Sequence, residues 1–244
     1  MDLSEYKKMD NLEHDHWWFK AKRKFLEVIL KNFSLPEKGS VLDVGCGTGA
    51  IMEFLLRQGY HVEGIDISAA ALTHCARKGL IVKQGTIDQL PFSDNTFNIV
   101  FALDVLEHLP RRDLALREVK RILKPGGLFI ATVPAHQFLF SYHDRAVHHI
   151  KRYSWYDFKQ ELIASFTIQH MSWIHSAILL PAILKRLIIE RLSRKVGQLE
   201  SDVKPSSQFI GVVMDAWYFV ELGFFKIFLK LPWGLSIIAV AKKD

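Results

Sequence analysis

Apolar positions along the chain follow two periods in turn. From Trp17 to Phe33, Phe25, Leu26, Ile29, Leu30 and Phe33 recur at helical spacing, and "SLPEKGS" ends the pattern. "VLDVG" then reads as a fully buried strand. The helix "AIMEFLLRQG" follows, with Gly59 placed just past its end, where a left-handed backbone is favoured. The alternation continues through strand "YHVEGID" and a helix from Ser68, a residue suited to an N-cap, to Gly79. Strand "LIVKQG", a loop around "LPFSDNTF" and strand "NIVFAL" come next. A helix from Arg111 to Leu123 stops at "KPGG", and strand "LFIATVP" follows.

Strands and helices alternating at these lengths predict an α/β fold, a parallel sheet with helices on both faces. The closing part differs. "SWYDFKQEL" opens with a capping-box pattern from Ser154 to Asp157, leads to a strand near "FTIQHMSWI", and the last strand falls at "LSIIAVAKK". Between those two strands, about Ser176 to Gly234, lies an apolar and helical stretch far longer than a hairpin connection. The pattern thus gives an N-terminal helical segment (1–39), a core (40–175 and 235–244) and an apolar helical insertion (176–234).

Composition adds little to the fold. The 244 residues are 49% hydrophobic and 24% charged, which suits one globular domain with a large core. Cys46 and Cys75 are the only cysteines and read as free thiols. "MDLSEYKKMD" lacks the apolar run of a secretion signal, so a cytoplasmic protein is expected. The net charge of +6 lies mostly beyond Val133. That fits either an anionic partner or an ordinary solvated surface.

The chemistry starts at "VLDVGCGTGA", where Gly45, Gly47 and Gly49 sit at the end of the first strand and the start of a helix. In open parallel sheets, ligands bind beyond the carboxyl ends of the strands. Asp66, ending the second strand, follows at about the ~20-residue offset of a ribose-binding acid, so an adenosine-type ligand is indicated. The loop departs from the dinucleotide pattern G-x-G-x-x-G, and no P-loop is present. Asp43 would oppose a pyrophosphate but suits an ammonium. Adenosine with an ammonium and no phosphate describes S-adenosylmethionine.

"VLDVGCGTG", "GIDIS", "LPFSDNTFNIVFALDVLEHL" and "REVKRILKPGGLFIATVP" together resemble the successive motifs of class I S-adenosylmethionine-dependent methyltransferases, in particular the branch with quinone-biosynthesis enzymes. The likeness covers roughly 40–134. It implies a Rossmann-like sheet of seven strands, the last antiparallel. It also implies that the glycine loop (Asp43, Gly45, Cys46, Gly47, Gly49) carries the methionine part and that Asp66 and Ile67 lie at the ribose. Thr86 and Ile87 would border the adenine, and Leu103 and His108 would lie against the cofactor. The family often has Asp where Thr86 and Asn98 stand, and Asn98 reads as structural. "HWWFKAKR" and "HDRAVHHIKRYS" resemble a narrower group of methyltransferases linked to surface-glycan or lipid-carrier pathways. That likeness makes the N-terminal helix a lid, with Arg23 reaching the cofactor carboxylate and Trp18 near substrate; plain helix packing is the competing reading.

Transfer to a hydroxyl needs a proton acceptor, and histidine suits that task near neutral pH. His149 is the first candidate and His143 the second, with Arg152 and Tyr153 as substrate-binding residues; an ordinary polar loop is the bland alternative. A metal reading of His143, Asp144 and His148 lacks a cysteine or second acid, so no metal is assigned. Neither apolar stretch of the insertion makes an uninterrupted membrane span. Trp217, Phe219, Phe224, Phe225 and Phe228, with Lys185, Arg186, Arg191, Arg194 and Lys195, suit either a self-packed cap or a peripheral surface against the inner face of a membrane. The expected activity is methyl transfer from S-adenosylmethionine to a small or lipid-linked acceptor, at oxygen. The rival classes are a non-catalytic binding module of the same fold and a nicotinamide oxidoreductase. RNA methylation is disfavoured for want of an RNA-binding module.

Overall fold

In the computed structural model, residues 3–33, 39–189 and 207–244 are described. A seven-stranded sheet has the order β3-β2-β1-β4-β5-β7-β6. Its strands are β1 (Ser40–Val44), β2 (His61–Asp66), β3 (Val82–Gln84), β4 (Phe97–Leu103), β5 (Leu123–Pro134), β6 (Thr167–Ile174) and β7 (Ser236–Lys242). The first five pair in parallel, and β7 runs antiparallel to both β5 and β6. The order reverses at β1, so β1 and β4 diverge into a crevice beyond their carboxyl ends.

The helices are α1 (Leu3–Leu12), α2 (Trp17–Asn32), α3 (Ala50–Arg57), α4 (Ala69–Arg77), α5 (Arg112–Ile122), α6 (Tyr142–Ala146), α7 (Trp155–Ile163), α8 (Leu179–Ile183) and α9 (Gln208–Phe228). The apolar stripe of α2 is buried as its spacing predicts, with Phe25, Leu26 and Ile29 fully enclosed. Together with α9, α2 forms one core layer against the sheet. Hence α2 is part of the core, and only α1 lies over the glycine loop. His16 caps α2, its Nδ1 accepting from Trp18 N at 3.3 Å, a role invisible in its sequence context.

Two local expectations change. Ser68 stands at the N-cap of α4, but its side chain makes no capping bond; its N–H donates to Asp66 Oδ1 instead. The "KPGG" segment does not interrupt the chain, because β5 already begins at Leu123. A shift of register between Phe97 and Ile99 absorbs it. Gly127 is required there, since a Cβ would stand 2.8 Å from Lys124 O. Asn98 is structural as read, accepting from Ser40 N and Lys124 Nζ.

The insertion is divided in its allegiance. Tyr218, Leu222 and Phe225 of α9 are buried at helical spacing, with Trp17 stacked on Tyr218 and Phe225 set edge-on to Phe25. Glu221 accepts from Ser176 N and Ala177 N and ties α9 to the turn just before α8. The opposite face of α9 exposes Phe209, Val212, Trp217, Phe219, Phe224, Ile227 and Phe228. Among the described residues, no helix is long and apolar enough to cross a membrane. Two residues of the cap-or-surface set are turned inward. Phe225 is fully buried, and Arg186 is buried with its guanidinium donating to Leu139 O at 3.2 Å. Arg191, Arg194 and Lys195 lie outside the described residues.

Candidate functional site

The glycine loop takes left-handed backbone angles, with φ of +68° at Gly45, +55° at Gly47 and +91° at Gly49. Only glycine adopts these without strain. At Gly45 the requirement is doubled, because a Cβ would stand 2.7 Å from Val105 Cγ2. At Gly47 only Met9 Cε of α1 comes near, so this peptide faces the crevice. Asp66 organises the loop: Oδ2 accepts from Gly47 N and Oδ1 from Ser68 N, both at 2.9 Å. A ribose hydroxyl would meet Asp66 where the buried Tyr6 hydroxyl of α1 also bonds it. The Cys46 side chain packs toward Gly64, leaving only its backbone to the crevice.

Across the loop lies α1. Just past its end, buried Glu13 bonds the Thr48 hydroxyl and pairs with Lys78 Nζ at 2.6 Å. Lys78 also meets Asp10 at 2.9 Å. Arg23 turns toward this segment, with its two guanidinium nitrogens donating to the carbonyls of Glu13 and His14. Reaching a cofactor carboxylate would require exchanging these bonds.

Two acids end the central strands. Asp43 on β1 is buried, and burial, reinforced by Asp66 and opposed by Lys22, pushes its carboxyl up to about 7. Asp104, just past β4, has φ +59° and pairs with Lys22 Nζ at 2.6 Å while accepting from Thr132 Oγ1. Burial raises the Asp104 carboxyl, but Lys22 and Thr132 outweigh it and hold the group at about 2. Trp18 stacks on His175 with ring centroids 4.0 Å apart, and His175 Nδ1 shares a 2.9 Å hydrogen bond with Tyr218 OH. Trp18, Lys22 and His175 thus lie together beside Asp104.

The third part is a histidine cluster. His149 Nδ1 lies 2.8 Å from Asp144 Oδ1, and its Nε2 lies 3.7 Å from Glu107 Oε1. Asp144 is fully buried and accepts from Ser141 N, from the Ser141 hydroxyl and from Arg152 Nε. Burial alone would raise its carboxyl; the His149 bond, Arg152 and Arg186 together hold it below the usual carboxylate range. His108 packs edge-on to His149 at 4.8 Å, and its Nδ1 lies 3.1 Å from His148 O. Burial, and then His149 beside it, pull the His108 imidazole down to about 4. Glu107 is fully buried, and neither of its carboxylate oxygens has a hydrogen-bond partner. Burial, and then Asp104, push its carboxyl well up.

The structure gathers His149 and His143, whose ring centroids are 6.1 Å apart. The metal reading of His143, Asp144 and His148 fails, because Asp144 is occupied by Arg152 and His149. Two substrate-binding expectations are corrected. Tyr153 is fully buried, its hydroxyl donating to Leu106 O and Glu161 Oε2. Arg152 is also buried and serves Asp144 and Ala135 O. Ile67 is 68% exposed at the end of β2, whereas Ile87 and Leu103 are buried beneath the crevice, and Thr86 bridges to Gln89. Sequence reasoning passed over Lys22, Asp104 and Glu107 and weighed Asp144 only as a metal ligand. The only available signal was the density of ionisable residues in "DVLEH" and "HDRAVHH".

Comparison with known proteins agrees with this geometry. Residues 42–131 match a family model described as a methyltransferase domain. The chain is 36% identical over 150 residues to a ubiquinone biosynthesis O-methyltransferase of Hahella chejuensis, covering 54% of this chain and 62% of that protein. It is 37% identical over 98 residues to a fatty-acid O-methyltransferase of Mycolicibacterium smegmatis, covering 38% and 36%. The matches therefore span less than two thirds of these relatives' lengths. In fold it is similar to the crystal structure of the [4+2]-cyclase SpnF, with a TM-score of 0.61, 20% identity and coverage of 93% and 82%. The left-handed loop, its bonded Asp66 and a buried acid at the ammonium position fit S-adenosylmethionine. Taken with the strand order, they agree with the match of residues 42–131 to a methyltransferase domain.

Proposed function

We propose that the chain transfers a methyl group from S-adenosylmethionine to an oxygen of a small or lipid-linked acceptor. The carrying observation is His149, held by buried Asp144 at 2.8 Å, with its other nitrogen 3.7 Å from the Glu107 carboxylate beside His108. The bound cofactor supplies an activated methyl on a sulfonium. Asp43 would meet its ammonium, Gly45–Gly49 its methionine backbone, Asp66 its ribose, and Thr86 with Ile87 its adenine.

On the acceptor side, Trp18 and His175 give an apolar wall, and His149 takes the hydroxyl proton. Asp144 fixes the His149 tautomer, and Arg152 fixes Asp144. His143 stands beside His149 as the alternative proton acceptor. Relatives named for ubiquinone biosynthesis and for fatty acids support an apolar acceptor. The exposed apolar face of α9 supports delivery from a membrane surface.

The test is incubation of a cell extract, lipid fraction included, with isotopically labelled S-adenosylmethionine. A labelled lipid-extractable product whose label is borne on oxygen is expected. Absence of any labelled product from a chain that binds S-adenosylhomocysteine would overturn the catalytic reading.

A further inference from the structure

Asp66 already serves donors from two parts of the chain. Its Oδ2 accepts from Gly47 N and its Oδ1 from Ser68 N, both at 2.9 Å. The hydroxyl of Tyr6, on α1, also bonds it, and Tyr6 is only 6% exposed. A carboxylate offers about four lone-pair sites. A ribose bonded through both of its hydroxyls, together with Tyr6 and the two backbone donors, exceeds that number.

The rest of α1 covers neighbouring parts of the same site. Met9 Cε lies 3.8 Å from where a Gly47 Cβ would stand. Asp10 fastens the helix to α4 and to the residue that ends it, with His74 Nδ1 at 3.0 Å and Lys78 Nζ at 2.9 Å. Glu13, just past α1, bonds the Thr48 hydroxyl of the glycine loop. These attachments are mostly polar, and Tyr6 is the one buried side chain among those described in α1. A helix of 10 residues is marginal on its own, as are isolated helices shorter than about 12–15 residues. Its position therefore depends on these contacts.

We propose that α1 is an internal competitor of the cofactor: the Tyr6 hydroxyl holds the ribose position on Asp66, and S-adenosylmethionine binds fully only after α1 has withdrawn. The inference rests on the reading of Asp66 as the ribose acid. It is the reverse of a lid, which closes over bound cofactor and adds to its affinity. Here the apparent affinity is reduced by the fraction of molecules in which α1 has withdrawn.

The full chain is titrated with S-adenosylhomocysteine by calorimetry, which needs no acceptor. Tyr6→Phe keeps the ring and removes only the hydroxyl, and should tighten binding roughly three- to tenfold. In an Asp66→Ala background the same change should have no effect, because hydroxyl and ribose no longer contend for one carboxylate. In the unaltered chain, amide exchange across residues 3–12 should quicken when S-adenosylhomocysteine saturates the site. Equal or weaker binding by Tyr6→Phe, or slower exchange of 3–12 on binding, overturns the competitor and makes α1 a lid. A gain that persists without the Asp66 carboxylate overturns it as well. Unchanged affinity in Asp66→Ala alone is a different failure: the ribose assignment then falls, and the inference with it.

Discussion

Lys78, at the end of α4, meets Glu13 of the N-terminal segment at 2.6 Å. Glu13 is only 2% exposed and also holds the Thr48 hydroxyl at the glycine loop. Removing the ammonium would leave a buried carboxylate without its cation. Lys78→Met should therefore destabilise the fold by about 3–5 kcal/mol and release α1 from the loop. Urea unfolding and amide exchange across residues 3–12 measure both effects; wild-type stability together with unchanged exchange would show that the contact does not hold α1.

Asp66 has two tasks, fixing the Gly47 N–H and presenting acceptors to the ribose. Asp66→Ala should weaken S-adenosylhomocysteine binding by about 1–3 kcal/mol. Unchanged affinity in a folded variant would remove Asp66 from the cofactor site.

Asp43 predicts a pH dependence. Its carboxyl, lifted to about 7, is neutral below that pH and ionised above it, and only the ionised form attracts an ammonium. Cofactor affinity should rise with pH from about 5.5 to 7.5, by up to tenfold per unit below 7 (~1.4 kcal/mol). Asp43→Asn should flatten that slope. A flat wild-type profile by calorimetry would count against the ammonium contact.

His149 should matter for turnover and little for the cofactor. His149→Ala is expected to reduce kcat by about 10²–10⁴ with cofactor affinity nearly unchanged, read by single-turnover kinetics once an acceptor is in hand. Wild-type turnover would exclude it. Arg152→Met, acting through Asp144, should shift the pH profile of kcat, an effect that a purely structural role would not produce.

The outer face of α9 should bind anionic vesicles. Trp217, Phe219, Phe224 and Phe228 are all more than half exposed, and Lys226 and Lys230 accompany them. Co-sedimentation is expected, weaker in high salt because salt screens the basic contribution. Changing Trp217, Phe219 and Phe224 to Ser should abolish it while cofactor binding persists. No sedimentation at any salt concentration would leave α9 as a cap alone.

The sequence by itself determined the sheet, the loop and its ligand class. Those features are local: glycine spacing imposes left-handed turns, strand periodicity imposes burial, and Asp66 follows at a fixed offset within one βαβ unit. The histidine cluster was decided only by tertiary structure. Glu107 and His149 stand 42 positions apart in the chain and meet because β4 and β5 pair in parallel, bringing the loops after both strands to one edge. The same packing turned Arg186 inward to Leu139 and split α9 between a buried stripe and an open face. Charge and hydropathy along a chain say which residues are costly to bury, but not which partner arrives to compensate them. Tyr153 and Arg152 looked like substrate ligands by type. Their burial against Glu161 and Asp144 depends on where α7 and α6 come to rest, which no local pattern encodes.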